Sequence, residues 1–292
     1  MPALIDLRRR IRSVRNTQQV TKAMKTVATA KYKKAHRTVL EGRPHWHAAP
    51  ALIDRLARRA GESAHPLLAA REERRVDLVV FTSDKGLCGA FNANLLARAM
   101  SFAGKIAETS GLRLFLFGKK GTNAFRRLRY PIERAFAENT DRIGEAAVRE
   151  VGEALVRRFL YLETDAVYLA YNEFKSVLAP KITLLRLLPL AAEEIPVTGD
   201  AADGGDIRPD WEPSAPGLMS ALLPRYVEDQ LLHAYAESQA AEQAARMMAM
   251  DSASKNAEDL IARLTLHLNK VRQAGITKEL LEIMTAVEAL KS

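Results

Sequence analysis

With 292 residues, 48% hydrophobic and 27% charged, the chain has the make-up of a globular protein of one or two domains, not of a disordered one. No apolar run reaches the roughly 18 residues of a membrane span, the charged N-terminus lacks the apolar core of a secretory signal, and the single cysteine, Cys88, excludes an internal disulfide and fits a reducing compartment. The net charge of +9 is uneven: residues 1–37 carry eleven Lys and Arg against one acid, Asp6, which points to an anionic partner surface such as nucleic acid, anionic lipid or an acidic protein.

Residues 3–41 contain neither Pro nor Gly and read as one long helix. Leu4, Leu7, Ile11 and Val14 follow the 3-4-3 spacing of a coiled-coil seam. The seam turns polar at Gln18 and Thr21 and resumes out of step at Val20, Met24 and Val27, which predicts a stutter. Gly42 and Pro44 predict a break, followed by a shorter helix to about residue 60.

The middle changes character. Residues 76–82 (VDLVVFT) are a short apolar β run, 91–108 are helical, and 113–118 (RLFLFG) are a second strand. A helix at 120–128 follows, then an amphipathic one at 141–162 with Ile143, Ala147, Val151, Leu155 and Phe159 on one face. Residues 166–174 and 182–190 are further strands. Strands alternating with helices over about 120 residues predict an α/β domain with a mainly parallel, Rossmann-like sheet. Residues 191–217 are rich in Asp, Gly and Pro and read as a loop.

Residues 225–292 hold no Pro and a single glycine, Gly275. Leu260, Leu264, Leu268 and Val271, then Ile276, Leu280, Ile283 and Val287, form a second apolar stripe, behind an Ala-rich stretch with Met247, Met248 and Met250. At about 1.5 Å per residue the two terminal helices reach roughly 60 and 100 Å, beyond one compact domain. The predicted fold is therefore α/β with a long antiparallel coiled coil of the N- and C-terminal helices: helix 1–60, α/β domain 70–195, loop 196–217 and helix 218–292. Long arms of this kind work by spanning or levering and not by enclosing a pocket.

Little in the chain suggests catalysis. The turn at 83–92 (SDKGLCGAFN) joins a strand to a helix N-terminus, where phosphate can bind. It matches neither GxGxxG nor GxxxxGK[ST], because Lys85 precedes the glycines. A tight turn packing the helix on the sheet is the plainer reading. Cys88 has no histidine nearby in sequence. His45 and His47 are two apart, so they diverge on a helix, and no metal-ligand spacing stands out. No cofactor or metal is expected.

Three blocks together resemble one family, the gamma subunit or central-stalk rotor of bacterial F-type ATP synthase. They are 11–24 (IRSVRNTQQVTKAM), 83–92 (SDKGLCGAFN) and the pair 242–250 (EQAARMMAM) with 269–280 (NKVRQAGITKEL), and their order spans the chain. The resemblance implies a shaft standing in a hexamer of alternating alpha and beta subunits, with the α/β body against the epsilon subunit and the membrane c-ring. Proton flow turns the ring and the shaft, and the shaft drives the beta sites through their cycle. Catalysis belongs to the beta subunits, so the chain itself is expected not to be an enzyme. It is expected at the cytoplasmic face of the bacterial inner membrane, reaching the membrane only through the c-ring and binding no nucleic acid.

By position, Met24 with Lys25 matches the shaft segment that faces an acidic loop of the beta subunit. Arg272 and Gln273 match the pair that engages another beta loop. Arg246, Thr277, Glu279 and Glu282 match positions tied to coupling efficiency, and Trp211 with Glu212 matches an aromatic-acid pair near the c-ring. Two departures matter. Lys25 stands where many relatives have an acid, which leaves the local charge balance open. Gly275 replaces a small non-glycine residue, at about 1 kcal/mol of helix propensity. A basic coiled-coil nucleic-acid binder, whose affinity falls steeply with salt, is the competing reading. An enzyme using the α/β body is a third, to be seen as a nucleotide-dependent thermal shift.

Overall fold

The computed structural model describes residues 2–60, 65–137, 140–176, 181–190 and 215–291. In chain order these form α1 (Pro2–Ala60), β1 (Arg75–Phe81), α2 (Phe91–Thr109), β2 (Gly111–Phe117), α3 (Lys119–Arg127), β3 (Ile132–Phe136), α4 (Thr140–Leu160), β4 (Ala166–Glu173), β5 (Lys181–Leu188) and α5 (Ala215–Lys291). The chain divides into two compact units, residues 1–28 with 246–292, and residues 29–245.

In the helical unit α1 and α5 run antiparallel. Thr21 Oγ1 and Ser254 Oγ share a hydrogen bond of 2.8 Å, and Lys25 Nζ donates to Asp251 Oδ1 at 2.6 Å, so numbering rises on one helix as it falls on the other. A seam on α1, with Met24 half-buried beside it, runs through the buried or half-buried Leu4, Leu7, Ile11, Val14, Gln18, Thr21, Lys25 and Ala28. These alternate three and four apart without a shift, as one continuous seam requires. Of the three residues expected to resume the seam out of step, Val20 and Val27 are exposed and Met24 is half-buried, while polar Gln18, Thr21 and Lys25 hold the unshifted seam positions. Apolarity misplaced the seam there because the facing helix supplies hydroxyl and carboxylate partners.

The matching face of α5 carries Met250, Ser254, Ala257, Ile261, Leu264, Leu268, Val271 and Gly275. Leu260, Ile276, Leu280 and Ile283, expected in the seam, are exposed instead, and the side chain of Val287 lies outside the described residues. The two cross-helix pairs put position n of α1 opposite about 275 − n of α5 (21 with 254, 25 with 251). Beyond Gly275, therefore, the described residues of α1 offer α5 no partner.

The second unit is built on a five-stranded sheet in the order β3-β2-β1-β4-β5, parallel except for β4 with β5. The short connection between Glu173 and Lys181 forces that exception, since a parallel crossover needs about a dozen residues. One face packs Val76, Leu78, Val80, Leu112, Leu114 and Leu116 against α2 and α3. The other packs Val79, Phe81, Phe115 and Phe117 against α4 and the first turns of α5. Strand β3 was not legible from the sequence. It is a five-residue edge strand with three exposed residues, and charged, short edges carry little apolar pattern.

One residue of β1 breaks the apolar run. Asp77 is 1% exposed and faces α4, where Arg158 Nε donates to its Oδ2 at 2.9 Å. A buried carboxylate of this kind is tolerated because it is paired and hydrogen-bonded.

Helix α1 runs unbroken through Gly42 and Pro44, contrary to the break expected there. An interior proline costs about 3 kcal/mol, and packing on both sides offsets it. Val39 and Ile53 are buried, Gly42 lies against the Trp46 ring, and Arg43 Nη2 donates to Phe174 O at 3.0 Å and to Glu237 Oε1 at 3.3 Å.

Glu237 closes a clasp between α1, α5 and the end of β4. Its buried carboxylate accepts the Phe174 N–H at 2.8 Å and lies 3.3 Å from His233 Nε2. Burial works to raise its pKa, but hydrogen bonds from His233 and Phe174 and the charges of His233 and Arg43 hold it below its ordinary value. Such a group stabilises the fold above its unfolded pKa, and the contribution is lost as pH falls through the folded value. Glu237→Gln is expected to cost about 1.5–3 kcal/mol, the worth of hydrogen bonds to a charged group. The difference from the parent in urea unfolding should be full at neutral pH and shrink in acid. A difference that does not depend on pH would show that the charge plays no part.

Candidate functional site

The helical unit presents two distinct surfaces. On α1, Arg8, Arg9, Arg12, Arg15 and Lys22 are all exposed, and the one acid nearby, Asp6, is taken by Arg10 at 3.2 Å. The seam claims only two positions per heptad, which leaves the long basic side chains to form a ridge in solvent. The ridge suits an acidic partner.

Lys25 and Met24 are half-buried. The lysine at 25 is answered across the unit by Asp251, which also accepts from Lys255 at 3.0 Å. Hydrogen bonds from Lys25 and Lys255 hold the Asp251 carboxyl below its ordinary pKa. The base found at 25 is thus balanced within the chain, although its side chain remains 45% exposed. Arg246, half-buried, lies five residues before Asp251 on α5.

Arg272, Gln273, Thr277, Glu279 and Glu282 form a separate group, about 39 Å further along α5 at 1.5 Å per residue. All five are exposed. Thr277 Oγ1 donates to Gln273 O at 3.0 Å, and Glu282 sits 3.6 Å from Lys278. Arg272 and Gln273 lie off the seam and are exposed. Trp211 and Glu212 lie outside the described residues. A Cβ at Gly275 would meet nothing within 4 Å, so close helix approach does not explain that glycine.

Past Gly275 the same helix exposes Ile276, Leu280, Leu281, Ile283 and Met284. A run of apolar side chains this dense on a surface marks an interaction site or an aggregation hazard. The isolated chain is expected to self-associate as concentration rises, and Leu280→Lys with Leu281→Lys to reduce this. Sedimentation of both proteins over a range of concentrations decides it, and a parent chain that stays monomeric throughout would contradict it.

The turn at 83–92 is closed by its own side chains. The Ser83 N–H donates to Asn92 Oδ1 at 3.1 Å, the Ser83 hydroxyl to Lys85 O at 2.7 Å, and Asn92 Nδ2 to Cys88 Sγ at 3.1 Å. Leu87 and Gly89 adopt φ of 64° and 58°. At the start of α3, the N–H groups of Lys119, Lys120 and Gly121 go to Asp84 Oδ1, Ser83 O and Thr82 Oγ1. These donors are spent inside the fold, where a phosphate site needs them directed outward. Cys88 packs with Val39, Phe91 and Phe174, so the turn docks the sheet against α1 and α5.

A cavity of about 590 Å³ in the second unit is lined in part by Lys31, Lys34, Trp46, Glu145 and Tyr235. Among the described residues its lining holds a single carboxylate, Glu145, so it brings together no carboxylate pair. Among the described residues no group of three or more His, Cys, Asp or Glu could hold a metal ion, and no helix is long and apolar enough to cross a membrane. The features that sequence reasoning missed are Glu237 and Asp251. The only local signs were spacings of four, His233–Glu237 for the first and Asp251–Lys255 for the second, and neither points to Lys25, which is 226 positions from Asp251.

A family model described as ATP synthase matches residues 3–290. An ATP synthase gamma chain of an Anaeromyxobacter species is 44% identical over 295 residues, with all of both chains covered. Another, from Pelotomaculum thermopropionicum, is 40% identical over 292 residues, again with full coverage. Among solved structures, a chain of the Euglena gracilis mitochondrial ATP synthase (OSCP/F1/c-ring, rotational state 3) shares the fold with a TM-score of 0.65 at 20% identity, covering 99% of this chain and 95% of that one. A chain of the Tetrahymena thermophila mitochondrial ATP synthase central stalk and c-ring has a TM-score of 0.62 at 24% identity, covering 80% of this chain and 99% of that one.

Proposed function

The chain belongs to the ATP synthase gamma-chain family, and from that premise we propose that it is the central rotor shaft of an F-type ATP synthase, mechanical and not itself catalytic. The observation that carries this reading is the antiparallel helical unit, joined by Thr21–Ser254 and Lys25–Asp251, within a chain that gamma chains match from end to end.

Two wound helices resist torsion better than one, and a shaft must bias three equivalent catalytic sites differently at any moment. It can do so only by making different contacts with each. The basic ridge of α1 on one helix and the Arg272–Gln273 surface on the other supply that asymmetry. In this reading alternating alpha and beta subunits surround the helical unit, and Arg272 and Gln273 engage a beta loop. Met24 faces an acidic beta segment, and Arg246, Thr277, Glu279 and Glu282 tune coupling. The α/β unit meets the epsilon subunit and the c-ring, with Trp211 and Glu212 toward the ring. Proton flow through the ring turns the shaft. The chain sits peripherally at the cytoplasmic face of the bacterial inner membrane, held there through the ring.

Co-expression with the alpha and beta subunits of the same organism tests the proposal. A complex of three alpha, three beta and one copy of this chain, whose MgATP hydrolysis needs this chain, is the expected result. A chain that elutes alone, with hydrolysis indifferent to it, would overturn the reading. DNA binding that falls steeply with salt would then favour the basic ridge as a nucleic-acid surface.

A further inference from the structure

The middle of the helical unit is polar where a simple coiled coil would be apolar. Thr21 and Ser254 are both buried and share a hydrogen bond, and the Thr21 hydroxyl is also placed to donate to Gln18 O at 3.0 Å. That arrangement makes Ser254 the donor of the cross-helix bond. One turn along, Lys25 and Asp251 make the 2.6 Å ion pair. Apolar positions flank it, Ile11 and Val14 on α1 with Ile261 and Leu264 on α5 to one side, and Ala28 on α1 with Met247 on α5 to the other.

Apolar seams tolerate a slip of one heptad, because each layer finds another apolar layer. A polar seam position specifies one register at some expense in stability. A one-heptad slip here would set Thr21 against Ile261 or Met247, and Ser254 against Val14 or Ala28. The buried Ser254 hydroxyl would lose its acceptor, and an unsatisfied buried hydroxyl is costly. In one direction the slip would also set Lys25 against Ala244, leaving Asp251 without its cross-helix cation.

We propose that Thr21–Ser254 and Lys25–Asp251 are a register lock that fixes the two helices against each other, and that Lys25 acts in coupling as a positioning residue through Asp251, not as a contact to the partner's acidic loop. The Arg272 and Gln273 surface is borne on one helix and the basic ridge on the other. A register error would therefore displace one surface relative to the other by about 10 Å per heptad. The coupling half of this proposal rests on the rotor reading; the register half does not.

The experiment uses the full chain carrying Cys88→Ser, with Val14→Cys and Ile261→Cys as a register reporter, oxidised to an intramolecular disulfide. On this background Lys25→Asp, Asp251→Lys, the two together, and the milder Lys25→Met are compared. The same lock variants, without the reporter cysteines, are assembled into the whole ATP synthase in membrane vesicles, and ATP-driven proton pumping per ATP hydrolysed is measured. Each single charge variant is expected to lower the disulfide yield and the pumping ratio by about fivefold, the scale of a partly exposed ion pair. The double exchange is expected to restore both, and Lys25→Met to fall between.

Single variants that leave the disulfide yield unchanged overturn the lock. If pumping falls in Lys25→Asp and the double exchange restores the disulfide but not pumping, Lys25 acts on a partner chain and the positioning role is wrong. A parent chain that forms the disulfide yet joins no complex overturns the rotor reading alone and leaves the register result standing.

Discussion

Arg158→Ala should lower the stability of the full chain by about 3–5 kcal/mol at neutral pH, because it strands a buried carboxylate. Asp77 is the third residue of β1 and 1% exposed. Its carboxylate takes Arg158 Nε at 2.9 Å and lies 3.4 Å from Nη2, and the same guanidinium reaches Glu163 at 3.2 Å. Burial pushes the Asp77 carboxyl above its ordinary pKa, and the hydrogen bonds and charge of Arg158 pull the other way. Without Arg158 the upward push is opposed only by the charge of Arg113 and a hydrogen bond from Thr164, the two smallest of the lowering influences. A carboxyl whose folded pKa is raised keeps its stability below the unfolded value and loses it as pH rises through the folded one. The deficit of the variant should therefore be larger at pH about 7.5 than at pH about 5. Asp77→Leu with Arg158→Leu removes both charges and should return stability close to the parent, since well-packed apolar replacements of buried pairs are often neutral. Urea unfolding of the parent, Arg158→Ala and the double leucine variant at both pH values checks this. A single-variant deficit under about 1 kcal/mol, or one that grows in acid, would show that Asp77 does not depend on Arg158.

The second large effect is on coupling. Arg272→Ala with Gln273→Ala should leave stability within about 0.5 kcal/mol, as for surface substitutions away from structural features. Both side chains are exposed and off the seam, and the hydrogen bond from Thr277 goes to the backbone oxygen of Gln273, which the substitution keeps. Assembly with alpha and beta should therefore be near normal. Coupled ATP synthesis in membranes should fall by about tenfold or more, because arginine anchors at interfaces commonly carry at least 2 kcal/mol. Normal synthesis rates in the assembled double variant would refute the contact role of this pair. Loss of assembly together with loss of stability would mean that the pair is structural.

Much of the architecture was legible from residues in order. The absence of Pro and Gly in 3–41, and the near absence in 225–292, marked the two long helices. VDLVVFT and RLFLFG marked the central strands, since short apolar runs between turn residues have few other readings. The registers were less legible. Val20 and Val27 looked like seam residues and are exposed, while Gln18 and Thr21 looked like an interruption and, with Lys25, form part of the seam. Pro44 looked like a helix end, and the packing of Val39 and Ile53 carries the helix past it.

The sequence by itself determined the kind of protein this is. Helix length, alternation of strand and helix, charge balance and three family-like blocks are all local properties, and each survives in one dimension. Tertiary structure alone decided which polar residues lie inside. Asp77 needs Arg158, Glu237 needs Arg43 and His233, Lys25 needs Asp251 and Thr21 needs Ser254. A buried charge or hydroxyl is stable only when a partner meets it, and most of these partners come from distant parts of the chain. The exposed apolar run after Gly275 was settled in the same way. Its hydrophobic pattern promised a seam, and whether a facing helix is present to cover it is a fact about two segments and cannot be read from one.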